Sequence, residues 1–430
     1  MNHEPLLIKG GRVVDPSQNL DEVRDVLLAD GKVSALDGSL EAPAGARSLD
    51  AAGLVVTPGL IDVHVHLREP GQERKETILT GARAAAAGGF TAICSMPNTE
   101  PAIDDPAAVG FVVAQGRKAA AARVYPMGAI SIGLKGEALT EFGGLVEAGA
   151  VAVTDDGRPV MDSGLMRMAM EYAQAFGIPV VDHPEDLSLS RDGSMNEGLI
   201  SSRLGLKGKP NASEDIHIIR DILLAELTGG RVHIQHVSTR FGVDAIRQGK
   251  ARGIRVTGEA SPHHLLLTDR DVDGYRTNAK MNPPLRAQED REAVLEGVKD
   301  GTLDVIATDH APHHYDEKEA AFEDAPNGIV GLETALGLIY GHLVDRGIMD
   351  LHTMVLRMSV TPAELFNLPG GTLKQGSPGD VTIFDPEAEW IVDADTFLSK
   401  SRNTPFSGWT LKGRPRYTIV GGGVVWEGEV

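Results

Sequence analysis

Residues 58–71 read Pro58-Gly59-Leu60-Ile61-Asp62-Val63-His64-Val65-His66-Leu67-Arg68-Glu69-Pro70-Gly71. Within this stretch the apolar run Ile61 to His66 carries two histidines at i and i+2, a spacing that points both imidazoles to one face of a β-strand. Two imidazoles on one face can share a metal ion, although such a pair in isolation is as often a satisfied pair in a core. The placement of other ionisable groups decides between the two. Seven more short apolar runs follow: Phe90 to Met96, Val124 to Ala129, Ala150 to Asp155, Ile178 to His183, Arg231 to Val237, Ile254 to Glu259 and Asp304 to Asp309. Helical stretches alternate with them. They include the Ala-rich Glu76 to Ala87, a helix capped by Ser213 with Glu214 and Asp215 in its first turn, and Gly331 to His342. Eight strand–helix units over residues 60–309 match the roughly 250-residue span of a TIM (β/α)8 barrel.

Ionisable residues recur where these runs end. His183 and His236 close the fifth and sixth runs, Asp309 the eighth, and Asp155-Asp156 the fourth. In such a barrel the C-terminal strand ends form the active-site rim, so their convergence with His64 and His66 predicts a metal centre. The single cysteine, Cys94, can supply neither a disulfide nor a thiolate site, which leaves nitrogen and oxygen donors from the carboxylates and the 14 histidines. That donor set suits zinc, with one or two ions per chain expected. Its purpose would be to polarise a carbonyl and make hydroxide available at neutral pH, with Asp309 relaying a proton to a leaving nitrogen. Adjacent strand residues face opposite ways, so periodicity leaves Asp155 and Asp156 as alternatives.

Both ends of the chain differ from this middle. Leu6 to Asp37 alternates β-rich runs with turn signals at Gly10-Gly11 and Asp30-Gly31. Val381 to Phe384 and Tyr417 to Val420 lead through Gly421-Gly422-Gly423 into Val424 to Trp426. Neither end has enough strands for its own core, so a small β-sandwich assembled from both termini is expected. The predicted units are residues 1–57 and 366–430 for the β domain and 58–365 for the barrel. After the eighth run, residues 310–326 read as a long mobile loop at the barrel mouth, closing over substrate.

The balance of 61 acidic against 41 basic residues gives a formal charge of -20, which disfavours nucleic acid and acidic lipid as partners. With 42% hydrophobic residues, no apolar run of eighteen and no charged-then-apolar leader at the start, a cytoplasmic protein with no membrane association is expected. An anionic substrate then needs a local cation.

Further motifs follow the opening stretch in order: Met96-Pro-Asn98-Thr99, Thr154-Asp-Asp156-Gly157, His236-Val-Ser-Thr239, Asn282-Pro-Pro-Leu285, Asp309-His-Ala-Pro-His313 and Ser401-Arg-Asn-Thr-Pro405. With them the chain resembles the dihydroorotases of the amidohydrolase superfamily over nearly its whole length. HxH and a late aspartate are common to that superfamily; Arg68, the Met-Pro-Asn run and the Asp-His-Ala-Pro-His run are more specific. The resemblance implies reversible closure of N-carbamoyl-L-aspartate to L-dihydroorotate in pyrimidine biosynthesis. It implies His64, His66, Asp156, His183, His236 and Asp309 as metal ligands, with Asp309 also the general acid/base. Arg68, Asn98, Asn282 and His313 would bind substrate. The stretch Ala150 to Gly157 holds no lysine, so the chain is similar to the branch with aspartate in place of a metal-bridging carbamylated lysine. Pro184 after His183 removes a backbone N–H beside a ligand. The roles of His263, His264 and His314 stay open. A hydantoinase or allantoinase would share the barrel, but a neutral ring gives no reason for Arg68. A non-catalytic subunit scaffolding aspartate transcarbamoylase would have no need of every ligand position. A homodimer is expected, and a complex with aspartate transcarbamoylase is carried as a second partner state.

Overall fold

The computed structural model describes residues 4–428. Its first strands are β1 (Leu6–Asp15), β2 (Leu20–Ala29), β3 (Lys32–Asp37), β4 (Arg47–Asp50) and β5 (Val55–Pro58). Asp30 and Gly31, both in the left-handed region at φ 52° and 75°, make the expected two-residue turn between β2 and β3. The expected turn at Gly10-Gly11 is instead a bulge inside β1, where the register with β2 jumps between Ile8 and Gly11. The extra residue bends the strand without reversing it.

Eight strands then alternate with helices. They are β6 (Leu60–Val65), β7 (Phe90–Ser95), β8 (Arg123–Pro126), β9 (Val153–Thr154) and β10 (Val180–Asp182), a two-stranded excursion of β11 (Met195–Asn196) with β12 (Gly208–Lys209), and β13 (Val232–Ile234), β14 (Val256–Ala260) and β15 (Val305–Ile306). Each of the eight expected runs overlaps one of these strands. Pairing is parallel along β6–β7–β8 and along β9–β10–β13–β14–β15. Single parallel bridges, Gly128 with Val153 and Val65 with His310, join the two groups at both edges. Alternate residues gather on one face: Ala92, Cys94 and Met96 of β7 and its end meet Val181, Val305, Ala307 and Phe366 in one cluster. The opposite parity, such as Ile93, Val180, Val232, Ile234 and Ile306, packs with the helices. This period of two sets which side chains can converge at the strand ends.

The last strands, β16 (Val381–Ile391), β17 (Thr410–Val420) and β18 (Gly423–Glu427), return to the first group. The sheet order is β18-β17-β16-β5-β1-β2-β3, with β4 on β1, so the two ends of the chain share one sheet. Leu6, Ile8, Val26, Val56, Val381, Ile383 and Ile419 form its core.

Three local expectations need correction. Ser213 does not cap its helix. The helix Ala212–Thr228 starts after Asn211, and the Ser213 hydroxyl donates to the Pro210 carbonyl at 2.8 Å. The helix expected from Gly331 begins only at Ala335; the Gly331 carbonyl accepts from the N–H groups of Thr334 and Ala335 at 3.2 and 3.0 Å, so the residues before it form a turn rather than helix. Residues 310–326 are not a loose loop. Lys318 donates to the carbonyls of Thr277 and Pro326 at 3.0 and 2.7 Å, and Lys280 to those of Phe322, Glu323 and Ala325 at 2.6–2.9 Å. Two buried ammonium groups thus hold the segment by its own backbone. Tyr315, Asp316, Glu319, Ala321, Glu323 and Asp324 remain its exposed part.

Candidate metal centre and active site

Each expected ligand sits on a parallel strand or just past its C-terminal end: His64 on β6 and His66 after it, Asp156 after β9, His183 after β10, His236 after β13 and Asp309 after β15. All six are buried. Asp309 Oδ1 lies 3.1 Å from His66 Nε2 and 3.3 Å from His64 Nε2. Asp156 Oδ1 is 3.5 Å from His64 Nε2, 3.6 Å from His183 Nδ1 and 3.9 Å from His236 Nε2, while its Oδ2 is 3.5 Å from His66 Nε2. Asp155 is elsewhere, accepting from the backbone N–H of Ser131 at 3.0 Å. The alternative left open by periodicity is therefore resolved: Asp156 faces the histidines.

Two donor triplets have their ligand atoms within 4.8 Å of one another, His64 with Asp156 and His236, and His64 with His66 and Asp309. His183 joins through Nδ1, 2.9 Å from His236 Nε2. A metal fits the chemistry of this donor set: the Nε2 atoms of His64, His66 and His236 and the carboxylates of Asp156 and Asp309 face one another in a buried site, and imidazoles and carboxylates crowded away from water are costly unless something binds them. Burial opposes ionisation at Asp309 and Asp156, but the His64 charge and bonds to neighbouring imidazoles win, so both carboxyls are held below the usual range. The backbone agrees. His236, Asp309 and Arg68 are non-glycine residues at φ 32°, 48° and 59°, and such conformations concentrate at functional sites.

Around this set lie the residues that the resemblance assigned to substrate. Arg68 is buried, with Nε donating to the Pro312 carbonyl at 3.2 Å and Nη2 3.4 Å from His313 Nε2. Burial first, then the charge of Arg68, pushes His313 far below the usual imidazole range, so a neutral ring stands beside the guanidinium. Asn403, of the closing Ser-Arg-Asn-Thr-Pro motif, fixes that ring's backbone: it accepts from the His313 N–H at 3.0 Å and donates to the Ala311 and Gly328 carbonyls. Asn98 lies between His66 Nδ1, at 2.9 Å, and Asp156 Oδ2, at 3.1 Å. Asn282 reaches Glu185 Oε2 at 2.9 Å and His183 Nε2 at 3.2 Å. Both asparagines therefore touch the ligand histidines directly. Asn98 and Asp156 also line a cavity of about 520 Å³ with Gln72 and Arg158, which opens beside the centre.

Of the histidines left open, His264 Nε2 is 3.0 Å from the Pro283 carbonyl and steadies the Asn282-Pro283 segment. His263 is buried against its ring, with Nε2 unpartnered. His314 points outward, beside Arg74. Sequence reasoning missed Glu259 and Glu185. Glu259 Oε1 is 2.5 Å from His64 Nδ1, and Glu185 Oε2 is 3.1 Å from His183 Nε2 while Lys209 donates to its Oε1 at 2.7 Å. A signal existed for both: Glu259 ends the seventh run and Glu185 lies two residues beyond a ligand.

No helix among the described residues is long and apolar enough to cross a membrane. The "Dihydro-orotase-like" family matches residues 53–241. Among solved structures, an L-hydantoinase (dihydropyrimidinase) from Arthrobacter aurescens superposes with a TM-score of 0.88 at 28% identity, covering 100% of this chain and 97% of that one. A D-hydantoinase (dihydropyrimidinase) from a Thermus species gives 0.83 at 26%, covering 99% and 97%. A dihydroorotase from Citrifermentans bemidjiense is 56% identical over 422 residues, covering 98% of this chain and 99% of its own. One from Geobacter metallireducens is 54% identical with the same coverage. Twice as similar to these as to the hydantoinases, and along almost its entire length, the chain belongs to the dihydroorotase family.

Proposed function

We propose that this protein is a dihydroorotase that interconverts N-carbamoyl-L-aspartate and L-dihydroorotate in pyrimidine biosynthesis. The observation that carries the reading is Arg68. A buried guanidinium stands at the end of the strand that bears the two histidines, and it offers a two-pronged match to a ring carboxylate. A hydantoin or dihydropyrimidine has no such carboxylate, which favours this reading over the activity named for the structural neighbours.

In this reading the ring of parallel pairings is a (β/α)8 barrel over residues 58–365, and residues 1–57 with 366–430 form a β-sandwich beside it. His64, His66, Asp156, His183, His236 and Asp309 would hold one or two zinc ions. A bound divalent cation supplies polarisation of the amide carbonyl and activation of the attacking water. Arg68 and His313 bind and orient the carboxylate end of the substrate, and Asn98 and Asn282 exchange their present partners for the substrate's polar atoms. Asp309, a carboxylate at neutral pH, accepts the proton lost by the attacking water and returns it to the leaving ring nitrogen; cyclisation runs the same transfers backwards. A cytoplasmic homodimer completes the reading.

The test is a dihydroorotate-hydrolysis assay on the purified chain with metal counted in the same sample, run alone and with aspartate transcarbamoylase. Turnover proportional to bound metal is expected. Faster turnover of an uncharged hydantoin, or none with metal present in either arm, overturns the reading.

The segment after Asp309 should respond to substrate, since it carries His313 and is tied to residues 74–75 by side-chain contacts near the surface, Arg74 with His314 and Asp316 and Lys75 with Glu317. Limited proteolysis within residues 315–325 should slow at saturating dihydroorotate. An unchanged cleavage rate counts against a lid.

A further inference from the structure

Strand β14 turns Thr257 and Glu259 to the side on which β13 places His233. Glu259 is 1% exposed, and both of its oxygens are engaged. Oε1 lies 2.5 Å from His64 Nδ1 and also accepts the backbone N–H of His236 at 3.2 Å. Oε2 lies 3.1 Å from His233 Nε2, and His233 Nδ1 is 2.8 Å from Thr257 Oγ1. Phe366 meets the His233 ring edge-on, with centroids 5.3 Å apart. One carboxylate thus spans two imidazoles and touches the backbone of a third histidine.

An imidazole can ligate a cation only through an unprotonated nitrogen, and a buried proton on its other nitrogen needs an acceptor. With Nδ1–H donated to Glu259, the lone pair of His64 is left on Nε2, the atom that faces Asp156 and Asp309 at 3.5 and 3.3 Å. The other imidazoles are served differently. His66 has the neutral amide of Asn98 on its Nδ1, and the carboxylate behind His183 is shared with the Lys209 ammonium. Among the described residues the ion pairs of Glu259 are with histidines, not with lysine or arginine. His64 also belongs to both donor triplets, so whatever fixes its ring bears on every donor arrangement found at the centre.

We infer that Glu259 is a positioning residue of the metal centre: it sets the tautomer and ring direction of His64, and His233 with Thr257 holds it in place from the far side. The inference rests on the metal-centre reading above. It assigns Glu259 no contact with substrate.

The test compares the full-length wild type, Glu259→Gln and His64→Asn, each loaded with Co2+ as the probe. Loss of a partner of this kind typically weakens metal binding by roughly 10–100-fold. Glu259→Gln should therefore release cobalt to a chelator about that much faster, with a changed visible spectrum. The melting midpoint of its metal-free form should stay near that of the wild type. At saturating metal, kcat should fall while KM for dihydroorotate holds. Cobalt retention and spectrum like the wild type in Glu259→Gln, alongside loss in His64→Asn, overturn the inference and leave the metal centre standing. Equal retention in wild type and His64→Asn refutes the metal centre itself, and the inference with it. Should Glu259→Gln fail to fold, His233→Leu carries the test, because it keeps the Glu259–His64 contact and removes its outer support. A smaller but measurable acceleration of cobalt release is expected, and no acceleration overturns the proposal.

Discussion

Asp309→Asn is expected to leave a folded protein whose turnover of dihydroorotate falls by roughly 10²–10⁴-fold, the contribution typical of a positioned general acid/base. Folding should survive for two reasons. The amide has nearly the shape of the carboxyl, and asparagine tolerates the left-handed backbone that this position adopts at φ 48°. Turnover should not, because an amide cannot take up the proton that the carboxylate accepts. The Asp309 carboxyl is suited to proton transfer because it is buried at the centre, and its contacts with the neighbouring imidazoles of His64 and His66 hold its pKa below the usual carboxylate range. Circular dichroism, metal content and steady-state kinetics on the same preparation check the result. Near-normal turnover with metal bound would remove the proton-transfer role, whereas loss of metal in parallel with activity would reduce Asp309 to a ligand.

Arg68→Met is the second large effect. Burial pulls the guanidinium pKa down to about 10, so the group remains cationic at pH 7 while lying in an environment where its charge is poorly screened. A charge-assisted bond to a carboxylate there is worth roughly 1.5–3 kcal/mol, which converts to about a 10–150-fold rise in KM for dihydroorotate. A ring without the carboxylate should be affected far less. Methionine keeps the apolar stem, so packing beside Pro312 and His313 should change little. Equal losses on the two substrates would sink the assignment of Arg68 to the substrate carboxylate.

The chain announces much of its fold because strand placement follows from local patterning. Each of the eight apolar runs overlaps a parallel strand, and alternation along them brings His64, His183 and Asp309 to one place. Asp30-Gly31 reads correctly as a turn, since a type I′ two-residue hairpin needs positive φ at both positions, and of Gly421-Gly422-Gly423 the first two form the turn while Gly423 already belongs to β18. Gly10-Gly11 carries the same local signal but sits where the partner strand continues, and only the pairing with β2 distinguishes a bulge from a turn. The same limit hid Glu259. Read along the chain, it is one acidic residue among 61, and its importance comes from His64, 195 positions away in sequence. Residues 310–326 looked loose because they are charged and proline-containing; the lysine contacts that order them are made to backbone carbonyls, which have no sequence signature.

The shared sheet has a consequence for synthesis. Strand β5 pairs on one side with β1 and on the other with β16, whose first residue, Val381, lies 323 positions beyond Pro58. At ~5–20 residues per second, a ribosome needs on the order of 15–65 s to supply the missing neighbour. Throughout that interval the nascent chain presents Val55 and Val56 on an unpaired edge, the kind of edge that captures strands from other chains. Yield in cells should therefore depend on translation speed and on chaperones that shield this edge more than on the final stability of the protein.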